Sequence, residues 1–178
     1  MNNTVKYATF WERFGAYILD SIIIGIPSYT LNYLNYNTAR SFYIVLPIVL
    51  LGMLYKPYME SKYQATLGKM ILQIKVTDVD FQKINFEKSL VRSLIFMVPV
   101  LLSSIPLQYL GFNNPNLVEI ENYWDFSTQL GITYPTAGII NLVFSMIFLI
   151  DLIMLLADDE KKGRSLKDRM AKTYVIKK

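Results

Sequence analysis

The sequence predicts an all-α integral membrane protein: a four-transmembrane-helix bundle with N- and C-termini cytoplasmic and a small cytoplasmic appendage. Three observations lead there. Hydrophobic residues make up 53% of the 178 residues and charged residues only 18%, against about a quarter in a soluble domain. The apolar residues gather into four runs of spanning length. The basic residues fall almost wholly on one side of those runs.

The runs are 14–34, 42–58, 94–112 and 136–157, the second being the shortest and carrying Pro47. Each approaches the ~20 residues that cross a ~30 Å hydrocarbon core at 1.5 Å per residue. In lipid every backbone amide must be satisfied within its own segment, so each run is expected to be helical. The first run is longer than a signal-peptide core and no small-residue cleavage site follows it, so it is read as a retained span. Segment 59–93 and tail 158–178 then share one side with the N-terminus, and loop 113–135 lies opposite.

With four spans, 17 of the 18 Lys and Arg residues lie on one side and only Arg40 lies on the other. A three- or five-span arrangement would split these groups. The positive-inside rule makes the crowded side cytoplasmic in a plasma-membrane protein. Loop 113–135 carries Glu119, Glu121 and Asp125 and no base. Aromatics mark both interfaces: Tyr7, Phe10, Trp11 and Tyr17 at one end of the first span, Tyr33, Tyr36 and Tyr43 near the other. The basic excess, with a pI near 9.1, thus faces anionic lipid, and nucleic acid is not implied.

Cysteine and histidine are both absent. Disulfides, zinc sites with the usual ligands, Ser-His-Asp triads and cysteine nucleophiles are excluded. No nucleophile–base pair or cofactor loop is visible, so the chain is read as a non-enzyme with no cofactor or metal. Gly68-Lys69 lacks the surrounding GxxxxGK[ST] of a phosphate loop.

The segment Phe10-Trp11-Glu12-Arg13-Phe14-Gly15-Ala16-Tyr17-Ile18-Leu19-Asp20 places an arginine at the entry of the first span and an aspartate seven residues later. A second block runs Gln64-Ala65-Thr66-Leu67-Gly68-Lys69 and then Ile74-Lys75-Val76-Thr77-Asp78, with Arg92 shortly before the third span. A third holds Leu166-Lys167-Asp168 with Ala171, Thr173, Val175 and Ile176. Together these resemble the RDD family of membrane proteins, over nearly the whole chain apart from 113–135, which looks like an insertion. The resemblance implies that Arg13, Asp20 and Asp168 are the arginine and two aspartates of the name. It also implies transport, including the cation/proton antiport linked to some members. Lys167 stands where the family often has histidine and Lys172 where it usually has glycine, so a proton-relay role for that histidine does not carry over.

Asp20 and Asp151 are the two acids inside spans, each some six residues from the cytoplasmic end. A charged group at the bilayer centre costs at least ~2.5–3.5 kcal/mol, so such residues face the bundle interior or water. If they face each other they would share a monovalent cation or a proton. The structural alternatives are a polar partner on another span for Asp20 and a nearby base such as Lys161 for Asp151. Arg13 lies ~10.5 Å along the axis from Asp20, too far for a direct bond. Arg13 is better placed to meet Asp168 at the cytoplasmic surface or a lipid phosphate; a pair with Asp168 would fasten the tail to the bundle.

Within 59–93, Thr66 to Leu72 reads as a short amphipathic helix on the membrane, capped by Thr66. Ile74 to Asp78 and Thr173 to Ile176 read as strands with a possible pairing. The runs Asp158-Asp159-Glu160 and Lys161-Lys162 read as a solvated helix end and a lipid anchor. The outer loop reads as an interfacial segment held by Tyr123 and Trp124. Pro27, Pro47, Pro99 and Pro106, with Gly25 and Gly52, fit either broken transporter helices or ordinary membrane helices.

Two functions stay open. One is a transporter exchanging a cation for protons through Asp20 and Asp151, with a homodimer expected because one copy is small. The other is a non-transporting assembly, regulatory or scaffold subunit.

Overall fold

The computed structural model describes residues 5–157 and 163–178; the runs of charge at 158–162 lie outside them. Four helical stretches are long and apolar enough to cross a membrane: α1 (Phe10–Thr38), α2 (Phe42–Tyr63), the stretch Phe86–Phe112, and α8 (Pro135–Leu156). Their outward faces carry exposed Ile26, Leu51, Ile139 and Ile153. In water such surfaces would drive aggregation; in lipid they meet tails as apolar as themselves.

The helices outrun the predicted spans. The first begins at Phe10 and ends at Thr38, the second continues to Tyr63 and the third starts at Phe86. Hydropathy marks where lipid is met, whereas capping marks where a helix begins. Thr9 and Glu12 form a reciprocal capping box, with Thr9 N–H donating to Glu12 Oε2 at 2.8 Å. Asn85 Oδ1 accepts from the Lys88 N–H at 2.9 Å and starts α4.

The third stretch is itself broken. Helix α4 (Phe86–Pro99) passes into a wider π turn, Val100–Ser104, and continues as α5 (Ile105–Phe112). Pro99 and Pro106, neither able to donate a backbone hydrogen bond, bracket that turn. Buried Ser103 ties it to α8 by donating to the Ala137 carbonyl at 3.1 Å.

The segment before the first helix, from Val5 on, meets the C-terminal strand at one end of the bundle. Strand β1 (Ile74–Asp78) pairs antiparallel with β2 (Thr173–Lys177) in the register Ile74↔Lys177 to Asp78↔Thr173. The N-terminal segment adds to β2: Ala8 N–H donates to Val175 O and Lys177 N–H to Lys6 O, each at 2.9 Å. Ala8, Ala16, Ile74, Val76, Ile84 and Val175 form the core beneath. Helix α3 (Leu67–Ile71) precedes β1, and α9 (Leu166–Met170) precedes β2.

At the opposite end, α6 (Pro115–Val118) and α7 (Tyr123–Thr133) fold the outer loop over a cluster of Tyr36, Leu117, Phe126 and Leu130. Tyr123 packs its ring on Tyr29, Tyr33 and Tyr36. The loop is thus two short helices around an aromatic core.

Candidate functional site

Helix α3 is packed on α1. A Cβ on Gly68 would come 2.2 Å from the Ala16 carbonyl oxygen. Only glycine permits that approach, and it brings the Gly68 N–H to Asp20 Oδ1 at 2.8 Å. Thr66 does not cap α3 with its hydroxyl, which instead donates to Asp20 Oδ2 at 2.6 Å. Tyr55 of α2 donates to Asp20 Oδ1 at 2.9 Å and accepts from the Leu67 N–H at 2.8 Å. Three donors from two other elements therefore hold the first intramembrane acid.

A buried ionic chain runs beside it. Arg92 of α4 is fully buried and donates through Nε to Glu60 Oε2 at 2.9 Å. Its Nη1 reaches both Asp168 Oδ1 and Thr173 Oγ1. Glu60 of α2 also pairs with Lys69 of α3. Asp168 of α9 takes Arg13 Nη1 of α1 at 2.6 Å on its other oxygen, which accepts as well from the Ser165 N–H and hydroxyl at 3.2 Å. Burial alone would push the Asp168 carboxyl up; Arg92, then Arg13 and Lys167, overcome it and hold it well below the usual carboxylate range. Burial pulls the Lys69 ammonium below its ordinary value against the opposing pull of Glu60. Arg13, Lys69, Arg92 and Asp168 thus form one network spanning all three sequence blocks.

Asp151 of α8 is buried and belongs to a separate pair. Its Oδ1 accepts from the Lys167 N–H at 2.9 Å, and its Oδ2 meets the Lys167 ammonium. The base found is Lys167 rather than Lys161, which lies outside the described residues. Asp20 and Asp151 have separate partners, yet both border one cavity of about 370 Å³ among the four spans. Its walls are apolar, with Phe14, Ile24, Met97 and Leu152 prominent. Charges line its end toward the termini: Arg13, Lys56, Lys69, Arg92 and Lys167 beside the two acids.

Residues 7–172 match the family model described as RDD family. The chain belongs to the RDD family. A relative, the "Uncharacterized protein YxaI" of Bacillus subtilis (strain 168), is 28% identical over an alignment covering 60% of this chain and 83% of that protein. No solved structure matches the chain. Arg13 and Asp168 bond each other, while Asp20 is held by α2 and the Thr66–Gly68 segment.

Three participants were not singled out from sequence: Glu60, Tyr55 and Lys56. Ending the second span at residue 58 placed Glu60 in a polar segment. Extending it to Tyr63 would have exposed Glu60 as the one acid on an apolar helix, a residue expected to have a buried partner. Nothing in the local sequence of Tyr55 distinguishes a ring at the membrane interface from one turned toward Asp20.

Proposed function

We propose that this RDD-family chain is a membrane-embedded binding protein, non-enzymatic, whose working site is the cavity among the four spans. The positive-inside argument puts the charged end of the cavity and both termini in the cytoplasm of a plasma-membrane protein. The observation that carries the reading is the cavity itself, about 370 Å³ with apolar walls and charge confined to one end. Small-molecule sites combine apolar linings with a few placed polar groups in this way. Its charge balance supports an anionic rather than a cationic occupant. Among the described residues, Arg13, Lys56, Lys69, Arg92 and Lys167 face only Asp20, Glu60, Asp151 and Asp168.

Because the chain has no cysteine, a single one at Ser21, which borders the cavity, is a clean probe. In proteoliposomes, Ser21→Cys is expected to react with methanethiosulfonates, the anionic sulfonate faster than the cationic trimethylammonium. Ile26→Cys, on the lipid face, serves as the unreactive control. A Ser21→Cys as inert as that control would refute an open cavity.

The second reading, cation/proton exchange, is favoured by Asp20 and Asp151 sharing one cavity. Against it, three donors already occupy the Asp20 carboxylate. Dye-loaded liposomes pulsed with sodium, lithium or potassium decide between them. Proton flux lost in a folded Asp20→Asn protein would establish exchange, and the cationic reagent would then be the faster one at Ser21→Cys.

A further inference from the structure

We infer that the cavity holds a single-tailed anionic amphiphile, its head on the Lys56 ammonium and its chain along the apolar walls. This rests on the binding reading above and names the ligand class.

Lys56 is the one base of the cavity's charged end that makes no hydrogen bond or ion pair among the described residues. Arg13, Lys69, Arg92 and Lys167 each have a carboxylate partner. Glu60 lies one turn on along α2, on the same face, yet its two oxygens are taken by Lys69 and Arg92. Lys69, Arg92 and Lys167 nearby are like-signed, and the two acids that border the same cavity, Asp20 and Asp151, are held by other partners. What Lys56 does meet is an aromatic face, its Nζ standing 4.3 Å from the Phe96 ring centroid. Such a contact offsets part of the cost of removing an ammonium from water. It does not occupy three N–H donors.

The surroundings then define the ligand. One base left without a carboxylate partner calls for one acidic head group. Phe10, Phe14, Ile24, Met97, Phe148 and Leu152 form walls that reward an alkyl chain and give a polar body nothing to bond. The volume, about 370 Å³, falls near the lower end of the roughly 300–1,000 Å³ of small-molecule sites, which suits one chain better than two. A fatty-acid carboxylate and a lysophospholipid phosphate share this chemistry.

The test uses the full chain carrying Ser21→Cys in nanodiscs of zwitterionic lipid, with modification by neutral methyl methanethiosulfonate as the readout of occupancy. Dodecanoate, lysophosphatidate, dodecanol and dodecyltrimethylammonium are compared as protectants. The anionic compounds are expected to protect at concentrations roughly tenfold lower than the alcohol or the cation, the scale of a hydrogen bond to a charged group. Whichever of the two anions protects better identifies the source. Lys56→Met, which keeps the apolar stem, should abolish the preference, and Lys56→Arg should keep it. Equal protection by dodecanol, or a preference that survives Lys56→Met, overturns the assignment. Should Lys56→Met fail to fold, the head-group comparison on the Lys56 protein decides alone. An unreactive Ser21→Cys would instead remove the open cavity itself, so the two failures are distinct.

Discussion

The two ends of the bundle hold their connecting segments by opposite means. Where the N-terminal segment meets the C-terminal strand, α3, α9 and the β pair are fastened by buried charge: Glu60, Arg92 and Asp168 are all fully buried, and each bonds to more than one element. At the far end α6 and α7 are fastened by aromatic packing around Tyr36, with backbone carbonyls of the loop accepting from Tyr36 and Arg40. Buried ion pairs are geometrically exacting and fail badly when one member is lost. Aromatic clusters are less demanding and degrade by increments. The ionic end is thus the one built for a single geometry, and it is also where the cavity and its charges lie.

That contrast can be broken or sharpened in four ways. The largest effect is expected from Arg92→Met, which leaves Lys69 as the base paired with Glu60 and Arg13 as the base paired with Asp168. Removing one member of a buried pair costs about 3–5 kcal/mol. Denaturant unfolding in detergent should show a loss of that order, with Arg92→Lys restoring little because an ammonium cannot serve Glu60 and Asp168 in the same fork geometry. An Arg92→Met protein of unchanged stability would mean that the ionic chain is dispensable.

Acid should act on the same end by another route. The Asp168 carboxyl is held below its unfolded value, so its contribution is fully present above about pH 4. It is lost as pH falls below that value toward the folded-state pKa. Amide exchange in α9 and β2 should therefore quicken between pH 5 and strongly acidic conditions before exchange in α7 does. Simultaneous opening of both ends would contradict the division.

Two glycines give the third comparison. A Cβ at Gly68 meets a backbone oxygen, Ala16 O, at 2.2 Å; one at Gly111 meets Leu130 Cδ1 at 2.5 Å. The first neighbour cannot turn away and the second can. Gly68→Ala should cost about 1–3 kcal/mol by forcing α3 off α1, and Gly111→Ala distinctly less, as read by shifts in thermal midpoint. The smallest effect is expected from Tyr36→Phe, which keeps the ring packing and removes donation to Leu117 and Ile120, about 1 kcal/mol.

The spans and the Arg13–Asp168 pair were legible because each follows from a local rule: apolar length for the first, and opposite charges at the same membrane depth for the second. The Asp20 contacts were not legible. They join residues 35, 46 and 48 positions apart, and nothing local says that Tyr55 or Thr66 turns inward. Counting residues put Asp20 and Asp151 at one depth, but depth says nothing about which way a side chain faces around its helix. The helices run past the apolar runs for a related reason, since hydropathy falls away before the hydrogen-bonded helix does.

By itself, then, the sequence determined that four helices of membrane-spanning length and apolarity exist, because apolar run length is a property of the chain. Tertiary structure alone decided that Glu60 joins Lys69 to Arg92, that Asp20 is held by α2 and the Thr66–Gly68 segment, and that Lys56 is left facing Phe96 in an apolar cavity. Those outcomes depend on how helices rotate and pack against one another, which is set by the summed contacts of many residues and by no single stretch of sequence.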